Sequence, residues 1–147
     1  MGAGLVILLG TLVVGTLDLL DAIIFFGMRG VAPLRIFQSI AAGLLGRAAF
    51  QGAHRTALLG VALHYLIAFL IVLIFYLLSR SLRFLTERAI LWGIVYGVAV
   101  YFTMNYVVIP MSATARGPFV LPVFINGILI HMFGVGLPAA LFARTAR

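Results

Sequence analysis

Cysteine is absent from this 147-residue chain, acidic residues number 3, and charged residues of either sign make up only 9%. Without cysteine there is no disulfide scaffold, no thiolate metal site and no cysteine nucleophile. Soluble domains carry about 25% charged residues, so the chain cannot hydrate the surface of a soluble enzyme. Lysine is missing as well. All ten basic residues are Arg, scattered between apolar runs, so the net charge of +7 builds no clustered basic face. Nucleic-acid binding, which needs such a face, is excluded. What fills the chain is hydrocarbon, with 65% hydrophobic residues and a mean hydropathy of +1.26. That is the composition of an integral membrane protein.

A helix crossing a hydrocarbon core about 30 Å thick needs roughly 20 mostly apolar residues, each rising about 1.5 Å. Four stretches qualify, at about 5–26, 57–78, 89–109 and 121–143. The expectation is one all-α transmembrane domain over 1–147, an antiparallel four-span bundle. Pro122 suits a first helical turn, where no intrahelical N–H is lost. Pro138 should bend the last span. The N-terminal run lacks a preceding basic region and a small-residue cleavage site, and reads as an uncleaved span. Val6 stands where a myristoylation signal needs Ser or Thr, so that anchor is not expected.

The long connection, 27–56, holds PLRIFQSIAAGLLGRAAF. On a helical wheel Leu34, Phe37, Ile40, Ala41, Leu44 and Ala48 share one side, and Arg35, Gln38, Ser39 and Arg47 lie towards the other. This predicts an amphipathic helix over 33–50 lying in the membrane interface, with a re-entrant segment as the alternative. Arg29, Arg35, Arg47, Arg55 and Arg116 fall on one side of the membrane, and Arg80, Arg83, Arg88, Arg144 and Arg147 on the other. The second group is the more compact, so the positive-inside rule places both termini in the cytoplasm.

Asp18 and Asp21 fall inside the first span, three residues apart and so on one helical face. His64 lies in the second span, Tyr101 and Asn105 in the third, and Asn126 and His131 in the fourth. A charge at mid-membrane costs about 2.5–3.5 kcal/mol, so such groups face the bundle interior and find partners. Counted by helix rise, Asp18, His64, Tyr101 and His131 all lie about 13 Å below the face carrying the long connection, and Asp21 about 9 Å. Each shares a stripe with small residues: Thr11 and Gly15, Gly60 and Ala68, Gly93 and Gly97, Gly127 and Gly134. Such stripes let membrane helices approach closely. The expectation is a buried Asp/His layer of Asp18, Asp21, His64 and His131, supported by Tyr101, Asn105 and Asn126. Its plainer reading is polar glue between helices.

Several chemistries fit that layer. Two carboxylates and two imidazoles could hold a divalent transition metal, although no HxxxH or ExxH spacing occurs. His64 and His131 could be axial ligands of a b-type haem, with Arg47 or Arg55 pairing its propionates. Carboxylate–His chains also serve proton or small-solute passage. Hydrolysis has no support, since Ser39, Ser79, Ser81 and Ser112 lie in the connections. The reading ranked first is an accessory or scaffolding subunit in the lipid bilayer, docked on other membrane subunits or on itself, whose polar site has at most a ligand-binding role; enzymatic activity is the less favoured reading and stays open.

The run LHYLIAFLIVLIFYLLS with its early His, the Gly-rich LWGIVYGVAVYFTMNYVVIP ending in Pro, and the His-bearing INGILIHMFGVGLPAALFAR together resemble the YagU-like family of bacterial inner-membrane proteins. The resemblance implies a bacterial inner membrane and both termini inside. It implies no particular activity. This chain has a shorter first connection and no basic N-terminal tail.

Overall fold

The computed structural model describes residues 1–146, so Arg147 lies outside the described residues. Six helices follow in order: α1 Ala3–Gly27, α2 Pro33–Leu45, α3 Ala53–Ser81, α4 Phe84–Glu87, α5 Ala89–Met111 and α6 Leu121–Thr145. Four of them, α1, α3, α5 and α6, are long and apolar enough to cross a membrane. The expected four-helix architecture is present. Leu12, Leu20, Leu66, Leu77 and Leu129 stand exposed along these helices, as side chains facing hydrocarbon would. The Met1 ammonium donates to the Thr145 carbonyl at 3.1 Å, so both chain ends meet at one end of the bundle.

Small residues decide which helices touch. Gly15 of α1 lies under the ring of Tyr65 on α3, and Gly10 abuts Val72. α5 and α6 come closer still. A Cβ on Gly97 would collide with the His131 carbonyl, and one on Gly136 with the Gly93 carbonyl and the Gly97 backbone. Here two backbones are in contact, which only glycine permits. Val14, Val72, Phe75, Val135, Ala139 and Ala140 fill the core between α1, α3 and α6. By contrast α3 and α5 stand apart and meet through side chains. The Tyr96 hydroxyl donates to the Ile71 carbonyl at 2.7 Å, and the Phe75 and Tyr96 rings meet edge-on at 4.9 Å. The bundle is closed on the glycine side and open on this one.

Two prolines set the local geometry of α5 and α6. The helix ladder widens to a π turn over Met104–Val108 and again over His131–Gly136. Each precedes a proline, Pro110 or Pro138, whose ring would strike the carbonyl four residues earlier and which has no N–H to offer it. A wider turn relieves both problems without leaving backbone groups bare in lipid. At Pro138, where a bend was expected, the structure has a π turn on the N-terminal side of the proline. Pro110, expected to lie beyond the third span, is inside it, because the same device carries α5 on to Met111.

α2 departs from the sequence expectation in length and in face. It stops at Leu45, because Gly46 takes φ +58 with ψ −141, and residues Gly46–Gln51 continue as a 3₁₀ turn. That backbone conformation is open to glycine almost alone. The buried face is Ile36, Gln38, Ala41 and Ala42, while Leu44 and Leu45 point outward. The reason is α3. Gly60 comes so close that a Cβ there would collide with the Phe37 carbonyl, so only small residues fit at the crossing. Gln38, placed by the wheel on the polar side, is buried and donates to the Ala53 carbonyl at 3.1 Å.

The α5–α6 crossing yields the first prediction. Replacing Gly97 by Val should destabilise the protein by about 3 kcal/mol, the upper end for overpacking, because the obstacle is backbone. Gly4 has nothing within 4 Å of its Cβ position, so Gly4→Ala should leave stability unchanged. Reversible unfolding in mixed detergent micelles reads both. Equal effects from the two changes would refute the close crossing.

Candidate functional site

The open side of the bundle is a cleft with two lobes. The deeper lobe, about 360 Å³, is walled by Asp18 and Gly15 of α1, His64 of α3, Met104 of α5 and His131 of α6, with Ser39 of α2 above it. The outer lobe, about 580 Å³, shares Asp18, Ser39, His64 and His131 and adds Asp21, Tyr101, Asn105 and Asn126. All seven polar residues of the expected site thus border one space. Four of them, Asp18, His64, Tyr101 and His131, are the residues for which helix rise gave a common level on four spans.

The expected buried layer, however, is not there. Asp18, Asp21, His64 and His131 are all partly exposed to the cleft, with side-chain exposures of 27% for Asp18 and 12% for His64. The separation of α3 from α5 leaves a space where the layer would have closed. Among the described residues no group of three or more His, Cys, Asp or Glu could hold a metal ion.

A bis-histidine haem does not fit either. His64 Nε2 lies 2.7 Å from the Gly15 carbonyl oxygen, and a carbonyl can only accept, so Nε2 carries the hydrogen. Nδ1 of the same ring faces Asp18 at 3.9 Å. Nε2 is thus committed, and Nδ1 is turned to the carboxylate side of the cleft. His131 is oriented by donation from Nδ1 to the Gly127 carbonyl at 2.8 Å, which leaves its Nε2 as the free atom. Its ring stands edge-on to Tyr101, with centroids 5.5 Å apart.

The two carboxylates differ. Asp21 accepts from Asn126 Nδ2 at 2.7 Å, a direct tie between α1 and α6. Asp18 has only the His64 contact, too long for a hydrogen bond. Nδ1 of His64 and the Asp18 carboxylate oxygen face each other across 3.9 Å without direct contact. Asn105 is occupied locally, donating to the Tyr101 carbonyl at 3.0 Å, and Arg116 donates to the Asn105 carbonyl at 3.2 Å. These bonds satisfy carbonyls beside the π turn.

Neither Arg47 nor Arg55 lines either lobe. Both are exposed. The arginine at the cleft is Arg35, in the outer lobe, with its guanidinium 4.8 Å from the Phe50 ring centre. Sequence reasoning also passed over Met104 and Ser39. Pro110 was the signal for Met104, since the π turn it induces lies at the cleft. Ser39 had no signal, because the face of α2 depends on where Gly60 lies.

No family model matches the chain, and neither a curated protein nor a solved structure matches it.

The unequal carboxylates make a prediction. Asn126→Leu should destabilise the protein by about 0.6–1.7 kcal/mol, the range for hydrogen bonds between membrane helices. Asp18→Leu should cost nothing measurable in the same unfolding assay, because it breaks no hydrogen bond. A larger loss for Asp18→Leu than for Asn126→Leu would reverse the assignment of structural and free carboxylate.

Proposed function

We propose that this multi-pass membrane protein uses its cleft to bind a small donor-bearing molecule, an organic ammonium group being the chemistry that fits best. The observation that carries this reading is the Asp18–His64 pair, a carboxylate oxygen and an imidazole Nδ1 held 3.9 Å apart, farther than a direct hydrogen bond spans. An ammonium group can donate to both at once, and its positive charge offsets the intramembrane carboxylate. Asp21, already bonded to Asn126, supplies a second negative charge to the same lobe. A purely scaffolding role, the reading composition favours, would tie these groups to one another by direct hydrogen bonds, and the Asp18–His64 contact at 3.9 Å is longer than one. On the proposed reading the protein binds, and in a larger assembly could pass on, its ligand without enzymatic chemistry.

The resemblance to YagU-like proteins supplies the setting of this proposal, a bacterial inner membrane with both termini in the cytoplasm. The cleft then opens towards the opposite face, on the side of the long connection.

Calorimetric titration of the protein in phosphatidylcholine nanodiscs tests the proposal, with butylamine as probe and butanol and butyrate as controls of like size. Butylamine should bind and the controls should not, with Asp18→Asn weakening the binding by about tenfold, equivalent to about 1.4 kcal/mol. Binding of butylamine no tighter than butanol, or indifferent to Asp18→Asn, would overturn it.

A further inference from the structure

The deeper lobe of the cleft does not end in the bundle. A third cavity, about 430 Å³, runs between α3 and α5 and is lined by Leu70, Ile74, Ala99, Val100 and Thr103, among others. Ile67, Ile71, Met104 and Val108 line both it and the deeper lobe, so the two spaces adjoin along these four side chains. The shared wall exists because α3 and α5 are held apart by side chains, while α5 and α6 touch through glycine. The groove presents almost no polar surface. The Tyr96 hydroxyl is turned to the Ile71 carbonyl, and the Thr103 hydroxyl donates to the Ala99 carbonyl of its own helix at 2.8 Å. One end of the combined space therefore carries carboxylates and imidazoles, and the other carries only hydrocarbon.

We infer that the ligand is a long-chain aliphatic amine or an amphiphile of that class, its ammonium head between Asp18 and His64 and its single hydrocarbon chain in the α3–α5 groove. This rests on the ammonium reading of the cleft and extends it. The chain is held in the groove by shape and not by the hydrophobic effect, because it leaves lipid that is equally apolar. The head supplies the affinity. Because groove and cleft adjoin, the chain stays in an apolar medium while the head reaches Asp18. A second membrane helix is a poorer occupant, since a helix is about 10 Å across with its side chains and could not follow the groove past Met104 into the polar lobe.

The experiment uses the full chain in nanodiscs and a dodecylamine carrying a diazirine at the end of its chain. Irradiation followed by peptide mass analysis should place the label on Leu70, Ile74, Ala99 or Thr103, with excess unlabelled dodecylamine removing at least about nine-tenths of it, a tenfold loss. Ala99→Phe, which fills the groove from an exposed position, should abolish the groove label while butylamine still binds as in the wild type. Label spread over the lipid-facing surfaces, or unaffected by Ala99→Phe, would overturn the inference. If the groove label is missing but butylamine binds, the amphiphile fails and the cleft reading stands. If neither amine binds, both fail.

Discussion

Hydrocarbon offers no hydrogen bonds, so every backbone N–H and C=O inside the membrane must be satisfied by the chain itself. The rest of this structure depends on that constraint. Two spans each carry a proline inside the helix, at Pro110 and Pro138. A soluble helix could leave a carbonyl to water at such a point. Here the ladder widens instead, into π turns at Met104–Val108 and His131–Gly136. Both turns border the same cleft, Met104 from one and His131 from the other. His131 stands at the start of its turn, with its ring held by the Gly127 carbonyl one turn back.

The second determinant is where the glycines lie. Gly93 and Gly97 let α5 sit on the π turn of α6 with backbones in contact. Close approach on that side draws α5 away from α3, whose facing residues are large: Ile67, Ile71 and Phe75 on α3, Tyr96 and Met104 on α5. Cleft and groove are the two halves of the space so left. The polar side chains then divide by partner. Asp21 and Asn126 tie α1 to α6, and Thr16 and Tyr65 share a hydrogen bond of 2.8 Å between α1 and α3. His64 donates from Nε2 to the Gly15 carbonyl, while its Nδ1 and Asp18 face each other across the void at 3.9 Å.

The spans were legible because each is a run of apolar residues of membrane length, and that signal needs no tertiary information. The shared depth of Asp18, His64, Tyr101 and His131 was legible too, because helix rise converts position into depth. Whether that level is filled was not. Burial depends on the spacing of α3 and α5, which is set by backbone contact at Gly97 and Gly136 on the far side of α5. A glycine in a sequence shows that close approach is allowed, not which neighbour makes it. The face of α2 escaped for the same reason. Its wheel put Gln38 with Arg35 on the polar side, but packing on Gly60 turned Gln38 inward, where the Ala53 carbonyl receives it. The prolines marked where α5 and α6 would be irregular. They did not show that the irregularity would be a π turn bordering the site.

Asp18 and Asp21 are the two aspartates of the chain, which makes one measurement direct. With Asp21→Asn in place and aspartate labelled with carbon-13 at its carboxyl, only Asp18 reports. Dipolar recoupling by solid-state NMR against nitrogen-15 butylamine in nanodiscs then gives the distance from the amine to that carboxylate. A coupling that places the nitrogen at charge-assisted hydrogen-bond contact, about 2.7–2.9 Å from a carboxylate oxygen, is the result the Asp18–His64 site predicts. Saturating amine with no measurable coupling to Asp18 would contradict it.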